Sequence, residues 1–196
     1  MAIVAGVRRQ TVSVLFVDIV GFTALVDGWD CADVRALQMD YFALVSAVVR
    51  DHGGVVEKYV GDAVMAVFGL SSRRPEGGAA AAVRAGMGVQ EAISGVRLAG
   101  RHEVHTRAGV STGDVMVDLA AARDGGYGMV CGGAVSLAAK LQACAPHDTL
   151  VVCPATHRLS SSSVDYQELP PAEVGGRPVD IFRALVTRTS VSAHVA

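Results

Sequence analysis

The tightest constraint on this chain is a hairpin signal near its first third. Two short apolar stretches, Val55 to Val60 and Ala63 to Phe68, are separated only by Gly61-Asp62. A Gly/Asp pair closes a tight β-turn because both residues tolerate backbone angles that others avoid. The two stretches are therefore expected to be adjacent antiparallel strands with Asp62 at the tip. Upstream, Thr11 to Val17 (TVSVLFV) is a β-rich apolar run ending in Asp18, and IVGFT after it reads as a turn feeding a helix. From Cys31 to Asp51, Val34, Leu37, Tyr41, Leu44, Val45, Val48 and Val49 recur at helical spacing, and His52-Gly53-Gly54 stops the pattern. Downstream, Pro75-Glu76 opens an alanine-rich helix running to about Leu98. Glu103 to Thr112 then alternates as a strand, continued after Gly113 by Asp114 to Leu119.

The resulting order, β-α-β-β-α-β, is that of a split βαβ unit. It predicts an α+β fold with a ferredoxin-like βαββαβ core, in which an antiparallel sheet carries its helices on one face. A C-terminal extension follows. Gly125 to Gly133 is glycine-rich, Ala134 to Ala143 reads as a helix, Thr149 to Val152 and Asp180 to Leu185 as closing strands, and Ser160 to Ser163 as an exposed loop. With 196 residues, one domain over 11–186 is expected, with a lead-in over 1–10 and a frayed tail over 187–196.

Composition narrows the setting. No apolar run reaches the roughly 18 to 20 residues needed to span a bilayer, so no membrane association is expected. The N-terminus places its apolar residues before its arginines, the reverse of a secretory signal. Cys31, Cys131, Cys144 and Cys153 form no CxxC pair and have no His at zinc-ligand spacing, which suits reduced thiols in a cytoplasm. A net charge of −2 with scattered arginines argues against a nucleic-acid footprint. Only two lysines occur, Lys58 and Lys140, in a chain where Arg does nearly all the cationic work.

In the split βαβ order the end of the first strand lies beside the hairpin tip, so Asp18 and Asp62 are expected to meet. Two carboxylates there repel unless a cation sits between them. Magnesium binds through one or two carboxylates and takes its other ligands from water and substrate phosphates, which is what a nucleotide enzyme requires. Taken singly, each Asp is equally at home capping backbone amides. Gly21-Phe22-Thr23, between strand and helix, offers backbone N–H groups and a hydroxyl to phosphate oxygens.

Taken together, FVDIVGFT at 16–23 and EKYVGDAVMAVFG at 57–69 closely resemble the two metal-binding motifs of the class III nucleotidyl (adenylate/guanylate) cyclases. RAGVSTGDV at 107–115 resembles the strand pair after them, and VCGGAVSLAAKLQ at 130–142 resembles that family's GDxVNxAxRL helix. The resemblance implies in-line attack of a ribose 3′-oxygen on the α-phosphate, closing a cyclic nucleotide and expelling pyrophosphate. It also implies two divalent metal ions, Mg²⁺ or Mn²⁺, held by Asp18 and Asp62 with help from the Ile19 carbonyl. Gly21, Phe22, Thr23 and Gly61 are then expected beside the substrate. Sites of the family form between two chains, so a head-to-tail homodimer with composite sites is implied.

By the same resemblance Lys58 falls on the purine-contacting lysine, and Met129 on its base-reading partner, where a thioether offers only a weak acceptor. Ser136 falls on the asparagine that orients the ribose, and Lys140 on the arginine that grips the α-phosphate in the transition state. Lysine keeps the charge but loses the planar fork, and serine keeps one polar atom with a shorter reach, so turnover is expected to be slower by ~10 to 1,000-fold if nothing compensates. Gly175 stands where the family often has a triphosphate-binding lysine, with Arg177 as the substitute, and Asp118 and Ala121 replace expected glycines. Three readings remain: a cyclase acting on ATP or GTP, a pyrimidine (CTP/UTP) cyclase given Met129, and a weakly active nucleotide-binding or regulatory relative given Met129, Ser136 and Lys140 together. A diguanylate cyclase is disfavoured, because its GG(D/E)EF signature is absent from the hairpin.

Overall fold

A computed structural model describes residues 6–71, 74–100, 102–118, 120–121 and 128–187. The elements run β1 (Val7–Ile19), α1 (Phe22–Leu25), α2 (Cys31–Asp51), β2 (Val55–Val60), β3 (Ala63–Phe68), α3 (Pro75–Ile93), β4 (Thr106–Asp118), β5 (Val130–Cys131), α4 (Gly133–Cys144), β6 (Thr149–Val152), α5 (Pro154–Ser160), β7 (Val164–Glu173) and β8 (Pro178–Thr187). One sheet has the order β2-β3-β1-β4-β6-β8-β7, with β5 pairing on β4. Every pairing is antiparallel except β4 with β6. The expected βαββαβ core is therefore present, and the α+β class holds.

The long helix α2 begins at Asp30, whose carboxylate accepts from the Ala32 N–H at 2.8 Å, satisfying one of the donors that a helix start leaves free. Its apolar stripe, Leu37, Tyr41, Val45 and Val49, is completely buried. It packs with Ala82, Val83, Ala85 and Val89 of α3 against Leu15, Val17 and Ile19 of β1, forming the largest core cluster. Alternate residues of the same strands, Val12 and Val14 of β1 with Met65 and Val67 of β3, face the other way and pack on Ala134 and Ala138 of α4. Strand alternation thus feeds two cores, one on each side of the sheet.

The two core helices share one face as expected, and the helix of the C-terminal extension adds a layer on the other. α2 and α3 cover one face, while α4 crosses the other and extends its contact through Leu141 and Ala145 to Val151 of β6 and Ile181 of β8. The crossing depends on Gly109 of β4. A Cβ there would lie 2.3 Å from the Gln142 nitrogen and 2.6 Å from the Ala138 carbonyl oxygen, so only glycine lets α4 rest directly on the strand.

Several boundaries differ for identifiable reasons. β1 reaches back to Val7, inside the expected lead-in, because Val7–Ile19 pairs without interruption with β4. β4 runs straight through Gly113 and starts only at Thr106. α3 stops at Ile93, short of Leu98, which instead forms an antiparallel bridge with His102. Ser160 is not in an exposed loop: its side chain is buried at the end of α5 and bonds the Thr156 carbonyl at 2.7 Å and the Tyr166 hydroxyl at 2.6 Å. α5 and β7 were not expected at all, and β8 is longer than Asp180 to Leu185. Most of the glycine-rich 125–133 segment before Gly128, and the tail beyond Thr187, lie outside the described residues.

Candidate active site

Asp18 is the second-last residue of β1, and Asp62 follows Gly61 at the β2–β3 tip. β1 pairs with β3 from Ser13↔Phe68 to Val17↔Val64, so the hairpin tip ends level with the end of β1. Gly61 takes the turn at φ 64°, which a side chain would strain. An Asp62 carboxylate oxygen accepts the Ile19 N–H at 3.2 Å. The Asp62 carboxyl is pushed up from the ordinary 3.8 to about 7, first by burial, then by a hydrogen bond and the charge of Asp18, with the Ile19 N–H pulling the other way. Burial and the neighbouring Asp18 carboxyl both disfavour the ionised form, so Asp62 gives up its proton only near neutrality.

Neighbouring groups sharpen this picture. The Tyr41 side chain of α2 is completely buried and its hydroxyl has no hydrogen-bond partner. Burial, then the charges of Asp18 and Asp62, push that phenol well above its usual range. On the opposite sheet face, Gln142 of α4 donates its amide N–H to Asp18 Oδ2 at 3.1 Å. The Arg107 guanidinium lies 3.5 Å from the same oxygen and donates to the Ala143 carbonyl at 3.2 Å. Arg107 reaches it because Arg107 and Asp18 are paired in the β1–β4 register. Among the described residues no group of three or more His, Cys, Asp or Glu side chains is assembled for a metal. Two carboxylates alone could hold a cation only if backbone oxygen, water or phosphate completed its shell, a donor set that would suit magnesium and not structural zinc.

The other expected residues are distributed as follows. Gly21 is left-handed at φ 65° and starts α1, with Phe22 half-buried and Thr23 exposed beside it. Lys58 pairs with Met65, which pairs with Phe16, so the three lie in one cross-strand row. Asp18 is two residues beyond Phe16, on the same sheet face. Ser136 and Lys140 are exposed on α4 one turn apart. The Lys140 ammonium lies over the β7–β8 turn, where a Cβ on Gly175 would be 3.0 Å from Nζ. Arg177 is exposed in that turn, whose backbone closes by mutual Val174–Arg177 hydrogen bonds. Met129, by contrast, is fully buried among Val12, Val14, Val115 and Val117, and its carbonyl accepts the Asp118 N–H at 2.8 Å. It packs the second core, and its side chain presents nothing to a ligand. Asp118 caps the Ala120 and Ala121 N–H groups at 2.8 and 3.2 Å, a polar turn where glycines were expected.

A sequence model of the adenylate and guanylate cyclase catalytic domain matches residues 4–187. The chain belongs to that family. Among relatives, an uncharacterized protein of Rhizobium meliloti (strain 1021) is 30% identical over 197 residues, covering 98% of this cyclase domain but 19% of the relative. Adenylate cyclase 1 of the same organism is 31% identical over 141 residues, covering 68% of this chain and 21% of its own length. The cyclase domain thus spans about a fifth of these curated relatives. In fold it is similar to the catalytic core of a rhodopsin-guanylyl cyclase with converted specificity in complex with ATPαS, with a TM-score of 0.82 at 20% identity over 93% of this chain and 99% of that one. Among the described residues no helix is long and apolar enough to cross a membrane.

Residue reasoning on the cyclase domain missed Arg107, Gln142, Tyr41 and Glu57. One signal was available for Gln142: it follows Lys140 by two positions, roughly 200° around a helix, and so must face away from it. What it would meet there depended on Gly109.

Proposed function

We propose that this domain converts ATP or GTP to the 3′,5′-cyclic nucleotide and pyrophosphate in a homodimer with composite sites. The observation that carries the reading is the Asp18–Asp62 pair, two mutually repelling carboxylates at the edge of a cyclase-family sheet. Their donor set suits one or two Mg²⁺ or Mn²⁺ ions, with the Ile19 carbonyl as a further oxygen. Bound there, the ions would lower the pKa of the 3′-hydroxyl and neutralise charge on the phosphates. The reaction forms the O3′–Pα bond, breaks the bond from Pα to the β-phosphate oxygen, and removes the 3′-hydroxyl proton.

The chain's own residues divide the remaining work. Gln142 and Arg107 orient Asp18 by engaging one of its oxygens. Gly21, Phe22, Thr23 and Gly61 border the phosphates. Lys58 donates to the base, Ser136 to the ribose, and Lys140, with Arg177 near it, offers positive charge to the phosphates as negative charge builds up. A composite site is supported by the geometry of α4: Gln142 touches Asp18, whereas Ser136 and Lys140 face the other way around the helix. Within one chain those residues are turned from the carboxylates, and a second copy in head-to-tail arrangement returns them. Four free cysteines, three of them exposed, suit a reducing cytoplasm.

The test is an assay of the purified domain with each of the four ribonucleoside triphosphates and Mn²⁺, beside Asp18→Ala. Cyclic product from ATP or GTP that disappears in the variant is expected. Product only from CTP or UTP selects the pyrimidine reading, and metal-dependent binding without any product selects the regulatory one.

A further inference from the structure

Glu57 is the only buried acidic side chain among the described residues. Its carboxylate is out of contact with solvent, and neither oxygen has a hydrogen-bond partner. The compensating charge is Lys58, whose Nζ lies 3.2 Å from Glu57 Oε2. Consecutive residues of a regular strand project to opposite faces and cannot pair in this way. Here the β2–β3 register shifts between Val56 and Lys58, leaving Glu57 as the extra residue of a bulge. A bulge turns neighbouring side chains toward one face and re-aims them, and bulges are common next to functional sites.

Stability gives no reason for the arrangement. A buried carboxylate recovers through one partly exposed ammonium little more than its desolvation cost, so the pair is weak evidence of a stabilising role. What the pair does accomplish is to hold the Lys58 head. The lysine side chain is 26% exposed, so it is held at its tip by the buried carboxylate while part of it reaches solvent, on a strand row shared with Met65 and Phe16. A lysine ordinarily loses a great deal of rotamer freedom on binding a ligand, and an anchored one loses less.

We propose that Glu57 is a positioning residue for base recognition, acting through Lys58, and that this pair sets the base preference that the buried Met129 cannot. The proposal rests on the cyclase reading of Lys58 given above. Its consequence is that charge at 57 and the ammonium at 58 act as one unit. Removing either should weaken nucleotide binding and flatten the choice among bases, and removing both should do no more than removing Lys58.

The experiment uses Glu57→Gln, Lys58→Met and the double variant, each checked for its melting temperature. The readouts are KM, kcat and the relative kcat/KM of the four triphosphates with Mn²⁺, together with displacement of a fluorescent nucleotide, which needs no turnover. For Glu57→Gln, about tenfold weaker nucleotide binding and higher KM are expected, with kcat within about threefold and base preference moved toward that of Lys58→Met. The double variant should match Lys58→Met, the non-additivity expected of coupled residues. Should Glu57→Gln fail to fold, Glu57→Asp, which keeps the charge on a shorter stem, should fold and show the same loss of preference in milder form. A fall in kcat with binding and preference unchanged, or losses that multiply in the double variant, overturns the proposal. Absence of cyclic product in every protein refutes the cyclase reading alone, because the displacement arm still reads the Glu57–Lys58 coupling. Absence of any nucleotide binding refutes both.

Discussion

Replacing Asp62 by Asn should make the metal-free protein more stable at alkaline pH while removing its response to metal. The Asp62 carboxyl titrates near 7 in the fold against 3.8 ordinarily, so the folded chain binds that proton more tightly than the unfolded chain does. Stability from this group is therefore full below 3.8 and is lost as pH rises through about 7. The whole difference corresponds to ~4 kcal/mol at pH 8. Because the side chain is only half-buried, solvent screening reduces this to ~1–2 kcal/mol. Asparagine keeps the shape and discards the charge, so metal-free Asp62→Asn at pH 8 should melt about 2–6 °C above the parent. At pH 5.5 about half of that difference should remain, and the two should melt together only near pH 3.8. Mn²⁺ should raise the parent's melting temperature more at pH 8 than at pH 5.5, since binding must displace the proton, and should barely move the variant. Thermal denaturation at both pH values, with and without Mn²⁺, is sufficient. An Asp62→Asn protein that melts at or below the parent at pH 8, or that gains as much from Mn²⁺, refutes the idea that the two carboxylates repel each other until a cation arrives.

Three further outcomes follow from the same geometry. Gly109→Ala places a Cβ 2.3 Å from the Gln142 nitrogen, so α4 must lift, and a loss of about 1–3 kcal/mol is expected by chemical denaturation; unchanged stability would show that α4 does not rest on β4 there. Gln142→Leu removes the 3.1 Å donor to Asp18 and should weaken Mn²⁺ binding by about 10-fold in a calorimetric titration; equal affinity would mean that Asp18 needs no such support. Lys140→Arg restores a planar fork and should raise kcat by about tenfold or more with little change in KM; a decrease would mean that the Lys140 position over Gly175 is already matched to an ammonium.

Where a feature is set by neighbours in sequence, it is visible in the sequence. The hairpin tip is a local turn, so Asp62 was placed by two residues, and the β1 strand end placed Asp18. Helical spacing likewise puts Ser136 and Lys140 on one face of α4. The missed elements were hidden by physical rules applied without knowledge of position. Pro170 and Pro171 argue against a strand, yet β7 closes the outer edge of the sheet, where a residue without an N–H is tolerated, and its register slips between Leu169 and Ala172. α5 is a seven-residue helix, too short to show periodicity, although Pro154 at its first turn was a usable start signal.

The half of the site that the sequence hid is the half that depends on breaking regularity. Strand alternation assigns Glu57 and Lys58 to opposite faces, and only the register shift against β3 brings them together. Alignment by motif puts Met129 beside a base, and only the packing of β4, β5 and α4 shows it filling the core. The approach of Gln142 to Asp18 requires a bare strand at Gly109, a contact between residues far apart in the chain. The proposed metal ligands can be read from two short motifs because a carboxylate needs only the right strand end or turn. The residues proposed to select the base are aimed by a bulge and a helix crossing, so their placement becomes legible only once the sheet and α4 are in place.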